Sequence, residues 1–176
     1  EISLAAGIQT PGPVVVLGDS LSAAYGLDPQ QGWVALLRRR LADAGYGHQV
    51  VNASVSGETT SGGRARIGRV LGTHAPSVVL VELGANDALR GLPAAQIEEN
   101  LVTIIGTAKK ANARALLIAV PLPGNYGQEY AEAVQGAYRR AATRAGVGIV
   151  PSLLAGVSAV PENFQSDRLH PVAAVQ

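Results

Sequence analysis

The stretch PVVVLGDS, from Pro13 to Ser20, decides the fold. Pro13 to Leu17 is apolar at every position, which fits a strand covered on both faces, as in parallel sheets, and not the alternating pattern of a half-wet strand. Gly18-Asp19-Ser20 ends the run with turn residues and leaves a hydroxyl at the strand's carboxyl end. Outward from there, short β-rich runs alternate with longer helical patterns. Gln49 to Ala53, Ser77 to Leu83, Ala115 to Val120 and Val147 to Val150 read as further strands. Gln31 to Ala44 carries Trp33, Leu36, Leu37 and Leu41 at helical spacing, with Trp33 and Leu36 expected in the core. Ser61 to His74 carries Ile67, Val70 and Leu71, and Ala94 to Ala111 carries Ile97, Leu101, Ile104 and Ile105. Glu129 to Ala145 is a fourth helix, and Pro171 is placed to open a last one as its first residue. This alternation predicts an α/β fold in one unit, with a five-stranded, mostly parallel, doubly wound sheet. In such sheets ligands bind beyond the carboxyl ends of the strands.

Composition narrows the function. The 176 residues suffice for a core without staples, and 14 basic against 13 acidic side chains give no field that would favour nucleic acid. Cysteine is absent, which removes thiol chemistry and Cys-zinc sites. The longest apolar runs are too short to span a bilayer, so no stable membrane anchor is expected. Residues 1–11 lack the basic start and long apolar stretch of a signal peptide, which fits a mature, processed or tagged product. No HExxH, histidine pair, GxGxxG or phosphate-binding loop follows a strand, so neither a metal nor another cofactor is expected. Nothing in the residues indicates an oligomeric state.

A serine hydroxyl becomes a nucleophile when a base takes its proton and a third group holds that base in the right tautomer. Only three histidines exist, at positions 48, 74 and 170. His74 ends a predicted helix, where the dipole favours a cation, and His48 precedes a strand with no partner nearby. His170 has Asp167 three residues before it, close enough to reach one ring nitrogen and leave the other for Ser20. Acyl transfer also needs donors for the developing oxyanion, and the candidates are the N–H of Ser20, the N–H of Gly57 in SVSGET and the side-chain amide of Asn86 in LGAND. Each motif alone is a common turn sequence. Together, in this order after successive strands, they point to one site. Asp19 and Asp87 read as carboxylates serving loop N–H groups, Glu82 as needing a partner if buried, and Arg90 as a solvent-facing charge. Ser22, Ser54, Ser56 and Ser61 read as turn or cap residues.

Four blocks, GDSLSAAYGL (Gly18 to Leu27), NASVSGET (Asn52 to Thr59), VELGANDALRG (Val81 to Gly91) and DRLHP (Asp167 to Pro171), resemble the consecutive blocks of the SGNH, or GDSL, hydrolases. The likeness extends over nearly the whole chain and is greatest to the bacterial multifunctional branch of thioesterases, lysophospholipases and arylesterases. It implies a three-layer α/β/α, flavodoxin-like architecture across residues 1–176, with Ser20, Asp167 and His170 as catalytic residues and Ser20, Gly57 and Asn86 as the oxyanion hole. The expected activity is cofactor-free hydrolysis of small-molecule esters and thioesters through an acyl-serine. The alternatives are a carbohydrate O-acetyl esterase or a non-catalytic binding module on the same fold. Leu89, Leu92, Leu122 and Tyr126 are expected to receive the acyl group. The resemblance further implies a periplasmic or secreted enzyme, a mobile loop at Ala88 to Pro93, and a C-terminal helix longer than the residues after Pro171 supply. Two departures stand out: Ala85 and Ala88 where glycine is usual, and Arg168-Leu169 where glycine and isoleucine precede the histidine.

Overall fold

Every residue of β1, Val14–Gly18, is buried, because the sheet is covered on both sides. The computed structural model describes residues 12–157 and 160–176; the reading of residues 1–11 lies outside them. The other strands are β2 (Val50–Asn52), β3 (Val78–Glu82), β4 (Arg114–Ile118) and β5 (Gly148–Val150), all parallel, in the order β2-β1-β3-β4-β5. The predicted doubly wound sheet is thus observed, with every pairing parallel.

Alternation along β1 assigns the two faces. Val15 and Leu17 pack with Val79, Val81 and Leu117 against three helices, α2 (Thr60–His74), α4 (Ala94–Lys110) and α5 (Gln128–Ala145). Val14 and Val16 face the other way with Leu80 and Ile118, against α1 (Trp33–Asp43). The α1 stripe is Val34 with half-buried Trp33, Leu37 and Leu41, so Leu36, expected in the core, falls off the packed face. On α4 all four predicted core residues are fully buried. Helices α4 and α5 are further tied where Glu98 accepts from Arg140 and Arg144, each at 2.7 Å. Those hydrogen bonds, Arg144 first, hold the Glu98 carboxyl below its usual range against a smaller opposing effect of burial.

Two elements differ from expectation. Ala85–Leu89 forms a short helix, α3, where the sequence suggests only a turn. Pro171 opens no helix. It lies in an antiparallel bridge with Phe164, and the chain then makes one 3-10 turn over Ala173–Val175. The bridge ties Pro171 to Phe164, and the Pro171 carbonyl accepts from the side-chain amides of Gln165 and Gln176.

The strand order reverses between β1 and β3, since the chain goes from β1 outward to β2 and returns to the far side of β1. The crevice at that switch point lies between the segments carrying Ser20 and Asn86.

Candidate active site

Ser20 follows β1 on a tight turn, in which Ala23 N donates to Asp19 O and Tyr25 N to Ser20 O. Its Oγ lies 2.7 Å from His170 Nε2, and His170 Nδ1 lies 2.7 Å from Asp167 Oδ2. The loop that brings these together is built by Asp167 itself, whose Oδ1 accepts from the backbone N–H of Leu169 (2.9 Å) and of His170 (3.1 Å). Burial raises the Asp167 pKa, but those two N–H groups and the imidazole together outweigh it and hold the carboxyl below its usual value. An ionised Asp167 fixes the proton on Nδ1 and leaves Nε2 as the acceptor facing Ser20.

Asn86 is the second residue of α3. Gly84, which precedes that helix, sits at φ 122, and a Cβ there would come within 2.5 Å of the Tyr138 hydroxyl, so backbone and space both demand glycine. Asn86 Nδ2 donates one hydrogen to Asp19 Oδ2 at 2.9 Å, and its second amide hydrogen remains for the cavity it lines. Asp19 also accepts from Leu21 N through Oδ1 at 3.0 Å. It therefore serves a loop amide, as expected, and also the Asn86 side chain, which was not foreseen. Beneath it Glu82, fully buried, accepts from the Ser22 hydroxyl at 2.6 Å, the partner its burial requires. Burial, opposed in part by the Leu21 and Asn86 hydrogen bonds, raises Asp19 to about 6. Burial, then the neighbouring Asp19 charge, pushes Glu82 well above the carboxylate range.

Gly57 stands on the turn after β2. Its N–H has no protein acceptor among the described residues, while its carbonyl accepts from Arg90 Nη2 at 3.0 Å. Arg90, read as a solvent-facing charge, thus joins the end of α3 to the Gly57 turn, which Glu58 also anchors by pairing with Arg66 on α2. Asp87 is reassigned as well. It accepts from Thr60 N (2.7 Å) and Thr60 Oγ1 (2.6 Å) at the start of α2, and not from N–H groups of its own turn. Ser22 is a buried donor to Glu82, Ser61 lies inside α2 with Thr59 as its cap, and Ser54 Oγ is buried with no hydrogen-bond partner among the described residues.

A cavity of about 700 Å³ opens beside Ser20, Asn86 and His170. Of the expected acyl contacts, Leu89 and Leu122 line it. Leu92 and Tyr126 are not among its lining residues: the Tyr126 hydroxyl donates to Leu89 O at 3.3 Å, and Leu92 O receives the Tyr130 hydroxyl at 2.6 Å. These bonds pin the segment that the resemblance implies to be a mobile loop. Sequence reading missed Val120, Leu154, Phe164 and Leu169, which complete the apolar wall. Val120, expected to end a strand, lies just past β4, and the other three lie in coil after β5, where no periodicity marks a buried face.

Arg168 lines the same cavity at φ 58. That left-handed conformation explains why glycine is usual there, and an L side chain held in it costs about 1 kcal/mol. Arg168→Gly is expected to stabilise the fold by about that amount, read as a higher urea midpoint with unchanged slope. A lower midpoint would show that the arginine side chain makes a compensating contact.

A hydroxyl, an imidazole and a carboxylate in hydrogen-bonded sequence at the carboxyl edge of a doubly wound sheet define a serine hydrolase. Residues 16–176 match the GDSL-like lipase/acylhydrolase family, and the chain belongs to it. It is 47% identical over 163 residues to Esterase TesA of Pseudomonas aeruginosa, covering 93% of this chain and 81% of that protein. Identity to the thioesterase 1/protease 1/lysophospholipase L1 of Escherichia coli K12 is 41%, over 90% of this chain and 74% of that one. The crystal structure of TesA superposes with a TM-score of 0.90 at 46% identity, covering 92% of this chain and 90% of that one.

Proposed function

We propose that this enzyme hydrolyses carboxylic esters and thioesters with Ser20 as nucleophile, His170 as general base and Asp167 as the carboxylate that orients it. The observation that carries this reading is the unbroken chain from Ser20 Oγ to His170 Nε2 and from His170 Nδ1 to Asp167 Oδ2, both links at 2.7 Å. As Ser20 Oγ bonds to the acyl carbon, its proton passes to His170 Nε2, and the carbonyl oxygen becomes an oxyanion facing Ser20 N–H, Gly57 N–H and the Asn86 amide. Collapse returns that proton to the departing alcohol or thiol and leaves an acyl-serine. Water, deprotonated by the same imidazole, then releases the acid.

The relatives' names, esterase, arylesterase and thioesterase/lysophospholipase, and a wall of Leu89, Val120, Leu122, Leu154 and Phe164 support an acyl chain in the cavity. Acetyl esters of polysaccharides are the poorer fit, because a two-carbon acyl group leaves most of that apolar wall in water. A panel of p-nitrophenyl acetate, butyrate and octanoate, an acyl-CoA and a lysophospholipid tests this. Butyrate is expected to exceed acetate in kcat/KM by about tenfold, given two further methylenes at roughly 0.8 kcal/mol each. Acetate as the best substrate would overturn the acyl-cavity reading. We also propose that the enzyme acts in the periplasm or outside the cell, as its family resemblance implies, to be checked by cell fractionation.

A further inference from the structure

The segment from Val160 to Gln176 that carries the base contains no α-helix, and the nucleophile lies some 150 positions away on the turn after β1. Among the described residues only two hydrogen bonds join residues 161–176 to residues 18–27. One is the bond from Ser20 to His170, and the other is Gln165 Nε2 donating to Tyr25 O at 2.9 Å.

We infer that Gln165 is a positioning residue for catalysis, a clasp that fixes the base-bearing loop against the nucleophile turn. Its reach covers both sides. Its backbone N–H donates to His170 O (2.8 Å), its carbonyl accepts from Arg168 N (2.9 Å), and its side-chain amide donates to Pro171 O (3.2 Å) as well as to Tyr25 O. One residue thus closes the loop that holds Asp167 and His170 and fastens it to a residue whose own N–H is bonded to Ser20 O at 3.1 Å.

The facing turn is shaped to receive it. Gly26 lies at φ +75, where a side chain is strained, and a Cβ there would come within 2.2 Å of Gln165 Oε1 and push the glutamine amide aside. The same contact sets Tyr25. Its ring is about half exposed, so burial does not account for its position, yet its centroid lies 4.6 Å from that of His170 at 37°. When His170 takes the Ser20 proton, the imidazolium faces an aromatic ring, an arrangement that favours the charged form. Nucleophile and base tolerate little misplacement, since about 1 Å can cost a hundredfold in rate.

This inference rests on the roles proposed for Ser20 and His170, and Ser20→Ala run in parallel tests those roles separately. Gln165→Met keeps the side chain's length and removes both amide donors. On p-nitrophenyl butyrate it is expected to lower kcat about tenfold or more with KM changed less than twofold. The rate of fluorophosphonate inactivation, which reads the Ser20–His170 pair without the acyl cavity, should fall in parallel, while the thermal midpoint stays within a few degrees. Gly26→Ala attacks the clasp from the other side. It should lower kcat in the native background and much less in a Gln165→Ala background, where the colliding side chain is gone and only the strain of alanine at φ +75 is common to both. If Ser20→Ala is inactive but Gln165→Met retains kcat within twofold, the clasp is overturned and the triad stands. A raised KM at unchanged kcat, or additive losses in the double variant, also overturns it.

Discussion

Ser20→Ala is expected to reduce ester turnover by about a million-fold while leaving the fold intact. The magnitude follows from the way nucleophile, base and carboxylate act as a unit: once the attacking oxygen is gone, His170 has no proton to take and Asp167 no imidazolium to stabilise. What survives is the oxyanion donors and the cavity, which retain roughly a thousandfold over water. Stability should barely move, because the side-chain bond made by Ser20 Oγ is to His170, and the turn itself is held by the Ala23 N to Asp19 O and Tyr25 N to Ser20 O bonds. The change expected for such a site is within about 0.5 kcal/mol. Steady-state turnover of p-nitrophenyl butyrate and thermal unfolding of the same preparation check both halves. Turnover above one hundredth of the native rate would remove Ser20 from the role of nucleophile.

The parts of this enzyme legible in its sequence are those where one residue type satisfies one physical demand. The apolar run from Pro13 to Leu17 had to be a strand buried on two faces, and β1 is buried throughout. His170 was selected by elimination among three histidines and by Asp167 three residues away, and the ring lies between that carboxylate and Ser20. Less legible was whatever depends on who faces whom across the fold. Asp87 looked like a local turn residue, but it serves the start of α2, 27 positions earlier. Gln165 is an ordinary polar residue in coil, and its partner at Tyr25 is 140 positions away. Helix α3 escaped notice because five residues carry no measurable periodicity, and a helix that short stands only through tertiary support, which here includes the Tyr126 hydroxyl on Leu89 O and the Tyr130 hydroxyl on Ala88 O. Leu92 and Tyr126 read as acyl contacts for their apolar character, yet neither lines the cavity: the Tyr126 hydroxyl is bonded to Leu89 O, and the Leu92 carbonyl receives the Tyr130 hydroxyl.

Asn86→Ala is expected to lower kcat by about a hundredfold or more, with a smaller change in KM, because an oxyanion donor acts on charge that exists only past the ground state. The structure adds a second readout. The amide of Asn86 divides its hydrogens, one to Asp19 Oδ2 at 2.9 Å and one to the cavity. Asp19 is therefore what aims the donor, and removing Asn86 deprives a buried carboxylate of a partner that lowers its pKa. In the native enzyme Asp19 titrates at about 6 against 3.8 for the free group, so the folded state binds the extra proton. Stability on this account is greatest below about pH 4 and falls as pH rises to about 6, by about 3 kcal/mol in all. Without Asn86 the folded pKa rises further, and the fall continues to higher pH. The variant should thus be destabilised more at pH 8, where native Asp19 is ionised and uses the Asn86 bond, than at pH 5, where it is already protonated. Asp19→Asn should reverse the stability effect and share the kinetic one. A neutral amide escapes the burial penalty at pH 8, but its oxygen must serve Leu21 N, which turns an NH2 group toward the NH2 of Asn86 and swings that donor away. Kinetics on p-nitrophenyl butyrate with thermal unfolding at pH 5 and pH 8 read both quantities. A raised KM at native kcat would make Asn86 a ground-state contact, and equal destabilisation at the two pH values would show that its bond to Asp19 does not depend on the carboxylate's charge.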